Sequence, residues 1–175
     1  LYGEIVGYVT GTTSMIQKGY DYGCKPGENM LMPYRITETD AEGNHKEWNV
    51  LDVYNWTVEV LFKHPELRDK IMPIMVLYHG RIGNLYPDLN QQDQWNQELL
   101  NRLETDKELF GMELNETLCK TKVPREGIVI RIENDIKAEA FKLKTLAFKM
   151  REAKQVDSGD VDMEMKVGYQ NNEEE

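Results

Sequence analysis

The sequence has little that would tie it to a membrane, an oxidising compartment or zinc. No apolar run approaches the roughly 20 residues that a membrane-spanning helix needs, and no secretory pattern opens the chain. The only cysteines, Cys24 and Cys119, are too few for a disulfide framework and form no Cys-x-x-Cys, so a reducing, cytoplasmic setting is expected. The three histidines, His45, His64 and His79, lie far apart and match no zinc spacing. Basic charge is also scarce overall. The formal net charge of -10 over 175 residues argues against a general nucleic-acid coat protein. With 40% hydrophobic and 30% charged residues, the chain is long enough for one folded domain with a real core.

The charge is unevenly distributed. From Lys120 to Lys154 there are ten Lys/Arg against five Asp/Glu, a local excess of +5. From Asp157 to Glu175 there are seven acids and one lysine, so residues 156–175 read as an acidic, disordered tail after a folded part spanning 1–155. A basic segment within an acidic chain suits a local phosphate site better than a long nucleic-acid track.

Alternation predicts a strand over Leu1–Val9, with Tyr2, Glu4, Val6 and Tyr8 facing one way. Its start reads as the middle of a strand with no methionine before it, so the chain is expected to be the carboxy-terminal part of something longer. Residues 10–29 read as a loop. A second strand over Met30–Thr37, the turn Asp40–Asn44 and a return over Glu47–Val50 predict a hairpin across residues 30–50. Helical spacing of Val50, Val53, Tyr54, Thr57, Val58 and Leu61 predicts a helix. Ile74–Tyr78 reads as a short buried strand, and Gly80–Asn90 as a loop. Asp93 is expected to cap a helix bearing Trp95, Leu99, Leu103 and Phe110 on one face, with Gly111 ending it and a shorter helix over Glu113–Cys119 following. Gly127–Glu133 and Ala140–Thr145 read as strands and Leu146–Gln155 as a helix.

Two places depart from ordinary strand patterning. Glu126 directly precedes an isoleucine-lined strand, where a carboxylate is costly unless paired, hydrogen-bonded or bound to a metal. Lys142 and Lys144 stand two apart, so their ammonium groups share a face and repel unless an anion lies between them. A polyphosphate with its cation reconciles both. Taken singly, a Lys-x-Lys strand equally describes a solvated face, and Glu126 a strand-end surface residue.

Three segments in order carry a resemblance: Leu1-Tyr2-Gly3-Glu4-Ile5-Val6-Gly7, Pro124-Arg125-Glu126-Gly127-Ile128-Val129-Ile130-Arg131 and Phe141-Lys142-Leu143-Lys144. They resemble motifs III, IV and V of the covalent nucleotidyltransferases, the ATP-dependent RNA and DNA ligases and mRNA capping enzymes. Tyr34-Arg35-Ile36-Thr37 falls where that family has motif IIIa, and the likeness to the phage and bacterial RNA ligases is the greatest. The resemblance implies an α+β fold in which antiparallel sheets flank a nucleotide cleft with helices outside, the ATP-grasp-like nucleotidyltransferase domain of ligases, incomplete at its amino-terminal end. It implies ATP and Mg2+ or Mn2+ as cofactors, RNA ends bearing a 5′-phosphate and a 3′-hydroxyl as partners, no membrane partner, and a bacterial or phage-infected cytoplasm. It assigns Glu4 to the ribose, Tyr34 to stacking on adenine, Glu126 to the metal, and Lys142 and Lys144 to the phosphates. Arg35 and Arg131 are expected helpers in nucleotide binding.

The family nucleophile lies in a Lys-x-Asp-Gly tetrapeptide upstream of motif III. This chain has none; Lys18-Gly19-Tyr20-Asp21 has the wrong spacing and follows motif III. Three expectations follow: part of an ATP-dependent RNA ligase that is inactive alone, one half of a split ligase completed by an amino-terminal segment or chain, or a non-catalytic module that binds nucleotide or RNA ends.

Overall fold

The computed structural model describes residues 1–89, 93–105, 116–133 and 138–158. The described residues form an α+β arrangement of three two-stranded antiparallel ladders with helices beside them. Strand β1 (Tyr2–Gly7) pairs with β2 (Asn29–Arg35), β3 (Thr37–Thr39) with β4 (His45–Glu47), and β5 (Gly127–Glu133) with β6 (Ala138–Lys144). The helices are α1 (Val50–Lys63), the short α2 (Ile82–Leu85), α3 (Trp95–Thr105) and α4 (Leu146–Asp157). Among the described residues no helix is long and apolar enough to cross a membrane.

Local chemistry accounts for the clearest boundaries. Helix α1 starts where Asn49 Oδ1 accepts the Asp52 N–H at 2.9 Å, an orphan donor of the first turn. Helix α4 starts at Thr145, whose Oγ1 accepts the Phe148 N–H at 3.2 Å and donates to the Arg125 carbonyl at 2.6 Å. That hydroxyl therefore caps α4 and ties its start to the residues entering β5.

The predicted 30–50 hairpin is corrected. β2 turns back onto β1, with Glu4 opposite Met32 and Gly7 opposite Asn29. The hairpin is confined to β3–β4 around the Asp40–Asn44 turn, and the Trp48 N–H on the Ile36 carbonyl at 3.0 Å adds a bond at its open end. Ile74–Tyr78 is no strand. Instead Ile71 bridges Leu31 in parallel, the Met72 N–H reaches the Leu31 carbonyl at 3.0 Å, and Pro73 has no N–H with which to continue the ladder. The loop expected over 80–90 carries α2. Gln94, with φ +61°, precedes α3 and its carbonyl accepts the first helical N–H groups, so Asp93 is not the cap. Phe110, Gly111, residues 113–115 and the tail from 159 lie outside the described residues; residues 116–121 form turns and bends rather than helix.

Two apolar clusters organise the part around β5. In one, the Ile128, Ile130 and Leu143 face of the β5–β6 ribbon packs on Tyr86, Leu89 and Leu103. In the other, Tyr20 of the long β1–β2 loop meets Val123 and Phe148, with Tyr22 and Cys119 beside them. Gly127 sits in a positive-φ conformation, and a methyl group built there would overlap the Leu143 carbonyl oxygen. Gly127→Ala is therefore expected to cost about 1–3 kcal/mol, measured by urea unfolding. A loss below 0.5 kcal/mol, the scale of ordinary surface changes, would show that β5 and β6 tolerate a wider separation at this point.

Candidate functional site

The β5–β6 register brings Glu126 and the two lysines together. Gly127 lies opposite Lys144 and Val129 opposite Lys142, so both lysines share the ribbon face turned away from the Ile128–Ile130 cluster. Glu126 precedes the first of these pairs, and its backbone carbonyl accepts the Thr145 N–H at 2.8 Å. Lys142 Nζ lies 2.6 Å from Glu126 Oε1. Lys144 Nζ lies 2.7 Å from Glu152 Oε1 on α4, with its ammonium 5.1 Å from the Phe148 ring centroid. The repulsion expected between the two ammonium groups is thus relieved by two separate carboxylates.

The other side of Glu126 is held from the loop. Gln17, 7% exposed, donates Nε2–H to Glu126 Oε2 at 3.4 Å, and Tyr22 donates its hydroxyl to Gln17 Oε1 at 3.3 Å. The loop is clamped where it makes these contacts. Tyr20 donates to the Pro124 carbonyl, and Arg151 stacks over Tyr20 while donating to the Lys18 carbonyl at 2.8 Å. Neither Gln17 nor Tyr22 stood out in the sequence. The available signal was a polar residue and an aromatic residue in a glycine-rich loop, with nothing to place them against a residue more than 100 positions away.

Burial raises the pKa of both Tyr20 and Tyr22 well above the ordinary 10.0; Arg151 partly opposes this at Tyr20, while the Glu4 and Glu126 carboxylates reinforce it at Tyr22. Tyr22 is therefore a fixed donor, which orients the Gln17 amide with its NH2 toward Glu126. A phenol kept protonated in the fold binds more protons above pH 10 than the unfolded chain does, so stability is complete below that pH and falls as pH rises through it. The expected slope is up to about 1.4 kcal/mol per pH unit for each phenol. Thermal unfolding between about pH 8 and 11 measures it, and Tyr22→Phe should flatten the decline. An unchanged decline in that variant would remove Tyr22 from the effect.

Glu4 and Tyr34 belong to the same neighbourhood. Glu4 pairs with Met32; beyond it the register slips by one residue between Gly3 and Tyr2, which places Tyr34 as the extra residue between the Gly3–Pro33 and Tyr2–Arg35 pairs. At this irregularity Tyr34 is 47% exposed, while the preceding Pro33 is fully buried. Arg131, on the lysine-bearing face of the ribbon, reaches the Tyr34 carbonyl with Nη1 at 3.2 Å. The strand bearing Tyr34 and the Lys142 ribbon are thereby linked through Arg131.

Arg35 and Arg131 are engaged elsewhere at the same time. Each lies 2.9 Å from Glu47, and Arg35 also covers the Tyr2 ring at 5.0 Å. Arg131, with only 12% of its side chain exposed, also donates to the Trp48 carbonyl. Its Nε is 3.1 Å from Glu133 Oε1 with the N–H not aimed at the oxygen, a Coulombic contact rather than a hydrogen bond. Glu133 Oε1 in turn accepts the Val50 N–H at 2.6 Å and helps start α1.

A groove of about 720 Å³ lies nearby, walled by Trp48, Trp56, Glu38, Asp52 and Glu59. Glu126, Lys142 and Lys144 do not line it. Among the described residues no three His, Cys, Asp or Glu side chains form a ready-made metal site. Magnesium at nucleotide sites takes one or two carboxylates and completes its shell with phosphate oxygens and water. Glu126 is a single carboxylate of that kind, with one oxygen facing the Gln17 amide and the other the Lys142 ammonium, which a cation there would have to displace.

No protein-family model, curated protein or solved structure matches this chain.

Proposed function

We propose that the chain is the phosphate-contacting part of a covalent nucleotidyltransferase of the ATP-dependent RNA ligase kind. The observation that carries the reading is the pairing of Glu126 with Lys142, with Lys144 two residues further on the same face and Arg131 of that face bound to the Tyr34 carbonyl. In this reading Tyr34 takes the adenine, Glu4 the ribose, and Lys142 and Lys144 the phosphate oxygens. Glu126 would hold a divalent cation, which supplies charge neutralisation at phosphorus. The chemistry is in-line displacement at phosphorus: AMP passes to a lysine with loss of pyrophosphate, then to a 5′-phosphate RNA end, and a 3′-hydroxyl expels it as the ends join. The residues named here position phosphates and stabilise charge. The ligase reading requires a nucleophilic lysine from outside these 175 residues, which contain no Lys-x-Asp-Gly.

The absence of that tetrapeptide also favours a second reading, a non-catalytic module that binds nucleotide or RNA ends. Equilibrium ATP binding and transfer of labelled AMP test both. The chain is expected to bind ATP in the presence of Mg2+ without retaining covalent AMP. Lys142→Ala and Lys144→Ala should each weaken binding roughly 10- to 100-fold, the value of a charge-assisted contact. No ATP binding, or equal binding by all three proteins, would overturn the assignment. Covalent AMP on a longer protein containing Lys-x-Asp-Gly separates the ligase from the binding module.

A further inference from the structure

We infer that the Glu126–Lys142 ion pair is a resting latch that a divalent cation and a phosphate group open together, so that each ligand raises the affinity for the other. The inference rests on the proposal that these two residues meet a cation and a phosphate, and it adds how the two binding events are coupled.

The two halves of the pair are unequally exposed to solvent. Glu126 is 18% exposed, its backbone carbonyl is bound by the Thr145 N–H, and its second carboxylate oxygen faces the Gln17 amide. Gln17 is itself buried and oriented by the Tyr22 hydroxyl. Lys142 is 51% exposed and reaches Glu126 at the end of a flexible four-carbon stem. Opening the pair therefore means Lys142 swinging away while Glu126 stays in place.

A cation approaching Glu126 Oε1 meets the ammonium 2.6 Å from that oxygen and must displace it. A phosphate approaching Lys142 meets an ammonium already neutralised by Glu126, and the free carboxylate repels it once the ammonium turns. Either ligand alone bears the whole cost of breaking the pair. The second ligand then finds its partner released, which is positive coupling, and the coupling is reciprocal by thermodynamic necessity. Because Lys142 is half exposed, the pair is screened by solvent, and the coupling is a modest factor rather than an all-or-none lock.

Lys144 supplies the internal control. It sits on the same face but pairs with Glu152, on a different element, so breaking that pair does not release Glu126.

The test uses the whole chain and two probes, Mn2+ measured by paramagnetic resonance and inorganic tripolyphosphate measured by calorimetry. Lys142→Met is expected to bind Mn2+ alone roughly fivefold more tightly than the parent chain, a factor set by a solvent-screened ion pair. Lys144→Met is expected to leave Mn2+ affinity unchanged. Glu126→Gln keeps an acceptor for Gln17 and should bind tripolyphosphate without metal roughly fivefold more tightly than the parent. It should also lose the enhancement that Mn2+ gives the parent. Equal Mn2+ affinity in the parent and Lys142→Met overturns the latch, as does a gain of the same size in Lys144→Met. A parent chain in which Mn2+ does not strengthen tripolyphosphate binding overturns it as well. If both probes behave as expected while ATP does not bind, the latch stands and the nucleotide assignment falls.

Discussion

Replacing Arg131 with methionine is expected to destabilise the fold by about 3 kcal/mol, because it removes one partner from a largely buried ionic cluster. Arg131 contacts Glu47, Glu133 and the carbonyls of Tyr34 and Trp48, so one side chain joins β5 to β2, to the end of β4 and to the start of α1. The loss stays toward the lower end of the range for broken buried pairs because neither carboxylate is fully orphaned. Glu47 keeps Arg35, and Glu133 keeps the Val50 N–H and lies 3.7 Å from His79. Urea unfolding measures the effect. Adding Glu47→Gln to Arg131→Met should cost less than the two changes summed, with a coupling on the order of 1 kcal/mol. A single-variant loss below about 1 kcal/mol would mean that the cluster is a solvated surface network.

Phe148→Ala is expected to cost about 3–5 kcal/mol, the range for deleting a buried aromatic ring. Phe148 is buried, with Tyr20 edge-on at 6.0 Å and Val123 beside it, and lies below the Lys144 ammonium. That cluster clamps the loop bearing Gln17 and Tyr22 to α4 and to the residues leading into β5. Its loss should therefore reach the site as well as the core. Thermal unfolding tests the stability change, and Met150→Ala on an exposed part of the same helix serves as the control, expected to change stability by no more than about 0.5 kcal/mol. Similar losses in both variants would place the stabilising contact elsewhere.

How far the molecule can be read from its residues follows from the range of the interactions involved. β5 was legible because Ile128, Ile130 and Ile132 alternate cleanly and Gly127 marks where the strand begins. Helix α1 was legible because Val50, Val53, Thr57, Val58 and Leu61 keep helical spacing, whereas the caps at Asn49 and Thr145 emerge from the structure. Ile74–Tyr78 misled because its apolar run is neither laddered nor buried, with Met75 and Tyr78 exposed, and Pro73 has no N–H to continue the pairing begun at Ile71. The 30–50 hairpin misled because β2 has two eligible partners, and the choice of β1 depends on contacts across a long loop. In the site, Glu126 and Lys142 were visible as an acid and a base out of place on strands. That they neutralise each other was not, since the pairing comes from the β5–β6 register. The Lys144–Glu152 pair forms across the turn from β6 into α4, a geometry that residue spacing alone does not specify. Gln17 and Tyr22 depend wholly on tertiary contacts.

Photo-crosslinking with 8-azido-ATP, followed by mapping of the labelled peptide, tests the central claim most directly. The adenine should label the β2 segment containing Tyr34, Mg2+ should increase the yield, and Lys142→Ala should sharply reduce it at sub-saturating ATP. Labelling at Trp48 or Trp56 instead, or a yield unaffected by Lys142→Ala, would contradict a nucleotide site between β1–β2 and the β5–β6 ribbon.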